Sequence, residues 1–191
     1  MPCKPGLVPS AWWPPPNCPE DPLLTAAMPL MPITVRLADY RHDDDARALV
    51  SLLDAYASDP AGGGEPLSDF AKTHLPAALA ARPQAFSVLA FDGEVPVGLI
   101  NCIEGFSTFA CRPLVNVHDV AVLASHRGRR IGERMLALVE LLARERGTCK
   151  LTLEVLDGNR SALTLYQRCG FAPYQLDPAL GDARFLQKKL G

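Results

Sequence analysis

The feature that most constrains this chain runs from Val120-Ala121-Val122 through Arg127-Gly128-Arg129-Arg130 to Ile131-Gly132. An apolar strand ends, a short basic loop holding one glycine follows, and a long helical pattern begins. The first turn of a helix leaves backbone N–H groups without internal partners and carries a partial positive charge. Such an end can hold a phosphate or diphosphate, and glycine lets the backbone approach it closely. Arg127, Arg129 and Arg130 add cationic donors. The loop is not a P-loop, because no Gly-Lys-Ser/Thr follows it.

The pattern around this loop is that of a mixed sheet with helices. Residues 33–37 alternate as a half-buried strand does. Asp43, Asp44 and Asp45 then open an amphipathic helix that carries Leu49, Val50, Leu53 and Tyr56. Gly62-Gly63-Gly64 breaks the chain, and a second helix is predicted over residues 67–81. Residues 86–91 and 95–103 flank Asp92-Gly93 and read as a β-hairpin, with Pro96 at a strand start or edge. A strand over 114–123 and a helix over 131–146 follow, the helix striped by Ile131, Met135, Leu138 and Leu142 and stopped by Gly147. Residues 151–155 read as a strand, 159–169 as a helix, and 171–176 and 184–190 as two closing strands. The expectation is an α/β (α+β) fold, a mixed sheet of six to seven strands flanked by about four helices.

Residues 1–32 stand apart. They hold ten of the 18 prolines, which remove backbone donors and block both helix and ladder. We expect a poorly ordered tail there, with Met28 or Met31 as candidate start sites, and a folded domain over residues 33–191. A net charge of −2 argues against a nucleic-acid partner, which would need a clear excess of Lys and Arg. No apolar run approaches the roughly 20 residues of a membrane span, and no signal peptide is legible, so we expect a cytoplasmic protein. The six cysteines make no CxxC pair and no zinc spacing with histidine, so free thiols and no metal are expected.

A second motif narrows the reading. Asn159, Ala162, Tyr166, Gly170 and Phe171 lie in one segment that is similar to the Asn-x-x-Ala-x-x-x-Tyr-x-x-x-Gly-Phe pattern of the GNAT acetyltransferase superfamily. The stretch from Arg127 to Gly132 resembles the same superfamily's pyrophosphate motif, with Arg130 where a central glycine is usual. The resemblance covers roughly residues 33–190 and implies a GNAT-like fold with two parallel central strands that splay apart. It implies acetyl-CoA as acetyl donor, held by Val120, Ala121 and Val122 along its pantetheine and by Arg127, Gly128, Arg129, Arg130, Ile131 and Gly132 at its diphosphate. Ala162, Tyr166 and Asn159 would complete that set, although Asn159 reads equally well as a helix cap.

The implied reaction is direct transfer of acetyl from acetyl-CoA to a primary amine, CoA leaving as a thiol. Tyr166 matches the superfamily's acid or sulfur-orienting tyrosine; on residue pattern alone it is a core aromatic. The base is open between His118, Asp119 and Glu104. Asp54, Asp59, Glu65 and Glu104 favour a small cationic amine by charge. A protein N-terminal or lysine acetyltransferase and a non-catalytic acetyl-CoA-binding module remain as alternatives. Monomer and homodimer are both compatible.

Overall fold

A computed structural model describes residues 32–174, 177, 179, 185–188 and 190. Of the expected Pro-rich tail, all but Pro32 lies outside the described residues. In chain order the elements are β1 (Ile33–Leu37), α1 (Asp43–Ser58), α2 (Asp69–Ala80), β2 (Ala85–Asp92), β3 (Val95–Ser107), β4 (Arg112–Val122), α3 (Ile131–Glu145), β5 (Leu151–Thr152) and α4 (Arg160–Arg168). The sheet follows the order β1-β2-β3-β4-β5. The first four strands are antiparallel, and β4 with β5 is parallel.

Strand number is the main correction. Five strands form among the described residues, not six or seven. Residues 171–174 and 185–188 join no ladder, and Tyr174, Phe185 and Leu186 are exposed. An apolar run becomes a strand when it has an edge to pair with and a face to bury, and of these residues Phe171 alone packs against the core. The rest of both segments lies outside the described residues. The hairpin turn also differs by one residue: Asp92 pairs with Val95, so Gly93 and Glu94 make the turn and Asp92 belongs to β2.

The period of two sorts the strands onto two faces. Val88, Ala90, Ile100, Cys102, Val115 and Val117 face α3 and α4, against Met135, Val139 and Tyr166. Leu89, Phe91, Leu99 and Ala121 face α1 and α2, against Leu49, Leu52 and Leu79. Burying each large aliphatic side chain contributes about 1.5–3 kcal/mol. Gly98 brings α3 close to the sheet, because a Cβ there would lie 2.9 Å from Met135 Cε. Pro96 sits beside a bulge at Val97, where a missing N–H is tolerated.

Asp45 does more than complement the start of α1. It is buried, and its carboxylate takes both Arg36 guanidinium nitrogens at 2.5 and 2.6 Å and the Asp39 N–H at 2.9 Å. Those hydrogen bonds, Arg36 first, hold its carboxyl below the usual carboxylate range. The pair fastens α1 to β1. No helix among the described residues is long and apolar enough to cross a membrane.

Candidate active site

The ladder between β4 and β5 has two registered pairs, Val115 with Leu151 and Asn116 with Thr152. Beyond them β4 runs on to Val122, while the chain after Thr152 leaves the sheet. The strands therefore splay, and a cleft of about 920 Å³ lies along the gap. Val120, Ala121 and Val122 form one wall; Glu154, Val155 and Leu156 form the other. Every residue expected to hold the cofactor lines this cleft except Arg129.

At the cleft's basic end, α3 starts without a side-chain cap. Its N-cap residue is Arg130, whose backbone is left-handed at φ 58°. That conformation is easy for glycine and costs a side-chain-bearing residue about 1–2 kcal/mol. The geometry thus accounts for the glycine usual at this point in the superfamily motif and shows that an arginine adopts it here. Gly132 has a packing role: a Cβ on it would meet Leu165 Cδ2 at 2.8 Å, so glycine lets α4 close onto the first turn of α3. In α4, by contrast, Asn159 accepts the Ala162 N–H at 3.2 Å and satisfies its own helix. Asn159 both caps and lines the cleft.

The arginines are already engaged. Arg129 binds Asp92 of β2 at 2.7 Å and is not among the residues that line the cleft. His126 reaches the same carboxylate at 3.3 Å, so Asp92 anchors the loop to the sheet. The Arg129 hydrogen bond is the main reason the Asp92 carboxyl is held below its ordinary value. Arg127 bonds the Val122 carbonyl at 3.1 Å and Asp59 at 3.1 Å. Arg130 and Arg168 both pair with Glu133, at 2.9 and 3.0 Å. The first-turn amides of α3 therefore have no side-chain cap, and Arg127 and Arg130 line the cleft beside them.

Tyr166 is buried on α4, packs edge-on against Phe171, and lines the cleft. Burial pushes its phenol up to about 12. It therefore stays protonated near neutral pH and can donate but not accept a proton. As a neutral phenol it can offer its hydrogen to an atom placed in the cleft.

A second pocket of about 340 Å³ adjoins the first. Leu53, Leu67, Leu75, Leu79 and Ile103 make it apolar, and His118, Asp119 and the Tyr56 phenol are its ionisable lining. Tyr56 lines both cavities and forms the wall they share. Burial, with the negative charges of Asp119 and Asp59 behind it, pushes the Tyr56 phenol up.

A bulge decides which way Asp119 points. Asn101 pairs with Asp119 and Cys102 pairs with Val117, which leaves His118 as the extra residue. Val115 and Val117 face α3, so an unbroken strand would send residue 119 to the α3 side. The bulge turns Asp119 instead toward α1 and α2, beside Asn101, and leaves His118 exposed.

The other acids are spent elsewhere. Glu104 lines neither cavity and meets Arg146 at 3.6 Å on the α3 side, so the structure does not bring it to the site. Asp54 pairs with Lys72 at 2.9 Å, and Asp59 pairs with Arg127. Sequence reasoning missed Tyr56, Asn101 and Asp92. Asn101 had a signal, being a lone amide within the apolar run of residues 97–103; Tyr56 had none, since it sits on an ordinary apolar stripe. Among the described residues the four cysteines are free, and burial drives the Cys102 thiol up to about 12, where it is inert. No group of three His, Cys, Asp or Glu among the described residues could hold a metal ion.

Comparison with known proteins bears on the family and the fold. The family model described as acetyltransferase (GNAT) family matches residues 46–171. A streptothricin acetyltransferase from Streptomyces lavendulae is 37% identical over 89 residues, which are 45% of this chain and 47% of that protein. The matched region thus spans about half the length of that relative. An aminoglycoside acetyltransferase from an uncultured soil metagenomic sample superposes with a TM-score of 0.67 at 16% identity, over 82% of this chain and 96% of the other. A ribosomal-protein-alanine N-acetyltransferase from Brucella melitensis biovar Abortus 2308 does so at 0.62 and 18%, over 83% and 100%. At such identities the superpositions establish the fold.

Proposed function

Given that the chain belongs to the acetyltransferase (GNAT) family, we propose that it transfers acetyl from acetyl-CoA to the primary amine of a small cationic molecule. One observation carries the reading. The uncapped first turn of α3, the unladdered edge of β4 and Tyr166 all open into one cleft, and Asp119 lies in the adjoining pocket.

The residues present fit the donor. The amides of Ile131 and Gly132, with Gly128 beside them, would take its diphosphate. The backbone of Val120, Ala121 and Val122 would pair with its pantetheine, as an added strand does. Acetyl-CoA would supply a thioester whose acetyl group passes to the amine nitrogen: the C–N bond forms, the C–S bond breaks, and of the two protons the ammonium gives up one goes to the base and one to the departing sulfur. Tyr166 donates a hydrogen bond at the sulfur position. Asp119 attracts the ammonium form of the acceptor and takes its proton, directly or through water, with His118 at the pocket mouth. The carboxylate is held by an amide and not by a cation, so its charge is left to face a ligand.

The small, apolar acceptor pocket supports a slim amine over a protein segment, and the carboxylate within it supports turnover over mere donor binding. The test is free-thiol release with acetyl-CoA across a panel of amines, with streptothricin, sisomicin, 1,5-diaminopentane and an Ala-leading peptide among them. Acetylation of one of the first three is expected, with a 10- to 100-fold loss of kcat in Tyr166→Phe. Turnover of the peptide alone would overturn the small-amine reading.

A further inference from the structure

A row of polar side chains crosses the α1/α2 face of the sheet, which is otherwise apolar. Ser87 on β2, Asn101 on β3 and Asp119 on β4 are direct cross-strand partners in successive ladders. Ser87 is fully buried and Asn101 is 6% exposed. The Ser87 hydroxyl donates to Asn101 Oδ1 at 2.6 Å, and Asn101 Nδ2 donates to Asp119 Oδ2 at 3.0 Å. Tyr40 closes the far end, 2.8 Å from Ser87 Oγ.

The direction of these bonds follows from hydrogen counting. The Asn101 amide turns its NH₂ toward the Asp119 carboxyl and its oxygen toward Ser87. Ser87 has one hydrogen, which that oxygen takes, so the Tyr40 hydroxyl donates to Ser87. All three donors thus point along one line toward the carboxylate. Buried polar groups in an apolar sheet are costly unless satisfied, and aliphatic residues would pack as well here.

We propose that Asn101, backed by Ser87 and Tyr40, is a positioning residue that aims the Asp119 carboxylate into the acceptor pocket. The inference rests on the reading of Asp119 as the group that receives the amine. The bulge at His118 puts Asp119 on this face, and the amide then fixes its rotamer. Asn101 lines the acceptor pocket and not the cofactor cleft, so its effect should fall on the acceptor half of the reaction.

The experiment measures kcat and both KM values by thiol release, with 1,5-diaminopentane and streptothricin as probes, on proteins whose folding is checked by thermal melting. Asn101→Leu keeps the branching and heavy-atom count and removes both polar ends; kcat falls at least tenfold while the KM for acetyl-CoA stays within twofold. Ser87→Ala lowers kcat about threefold, and Ser87→Ala with Asn101→Leu is no worse than Asn101→Leu alone. In an Asp119→Asn background, Asn101→Leu costs nothing further, whereas a merely structural residue would cost the same in both backgrounds. Asn101→Ser, too short to span the gap, gives the same loss and serves if the leucine variant does not fold. Wild-type kcat in a folded Asn101 variant, with Asp119→Asn inactive, overturns the inference and leaves the proposed function standing. Full activity of Asp119→Asn overturns the reading of Asp119 and the positioning role together.

Discussion

The two faces of one sheet differ in what they carry, although alternate residues of the same strands build both. Under α3 the sheet presents Val88, Ala90, Ile100, Cys102, Val115 and Val117, all buried and apolar. Under α1 and α2 the intervening positions include Ser87, Asn101 and Asp119, joined in a line. The first face contributes cohesion. The second gives up apolar contact for a set of aimed hydrogen bonds that end at a cavity. A polar line of this kind is tolerable because the opposite face carries enough buried area to hold the sheet together.

That contrast can be broken most directly by one substitution on each face. Asp119→Asn should lower kcat by about 10²–10⁴ while moving Tm by less than about 2 °C, as removal of a general base does. Met135→Ala on the α3 face should do the reverse. It opens a cavity against Gly98, costs about 2–5 kcal/mol and lowers Tm by roughly 5–15 °C, with kcat per folded molecule unchanged. Steady-state kinetics and calorimetry on the two variants check both statements. A large kinetic defect in Met135→Ala would erase the distinction.

The α1 side should also show an acid-sensitive anchor. The folded-state value of Asp45 lies below its unfolded one, because Arg36 and the Asp39 N–H hold the ionised form. Its contribution is therefore complete above the ordinary carboxylate value near about 4 and is lost as pH falls from there through the lower folded-state value. Arg36 is half exposed, so the pair is discounted to about 1–2 kcal/mol. Asp45→Asn should lower Tm at pH 7 by roughly 2–6 °C, and the gap should close below about pH 4 in thermal melts.

The cleft offers two finer tests. Burial keeps Tyr166 protonated, so the alkaline limb of the kcat profile should show no ionisation of this phenol below about pH 10. A limb below that pH that disappears in Tyr166→Phe would contradict it. The smallest effect is expected at Arg130. Glycine relieves its left-handed backbone but loosens the unfolded chain and removes an exposed ion pair with Glu133. Arg130→Gly should raise Tm by only about 1–2 °C; a fall would mean that the side chain matters more than the backbone.

Local signals were legible along most of the chain. The alternation at residues 33–37, the stripe of α3, the Asn159 cap and the basic loop before Ile131 all depend on neighbours within a few residues. The closing strands were not, because an apolar run does not disclose whether a partner edge exists. Nor were the arginine partners: Arg129 finds Asp92 and Arg127 finds Asp59 across long stretches of chain. Glu104 looked available because nothing near it in sequence announces Arg146.

What the order of residues determined by itself is the run of helices and strands and a helix N-terminus ready for an anion, since periodicity, caps and turn chemistry are short-range. Only the tertiary structure decided that β4 leaves β5 after two pairs and that a bulge at His118 turns Asp119 toward Asn101. Those outcomes depend on cross-strand register, which is set by hydrogen bonds between residues far apart in the chain, and one inserted residue reverses the face of every side chain beyond it.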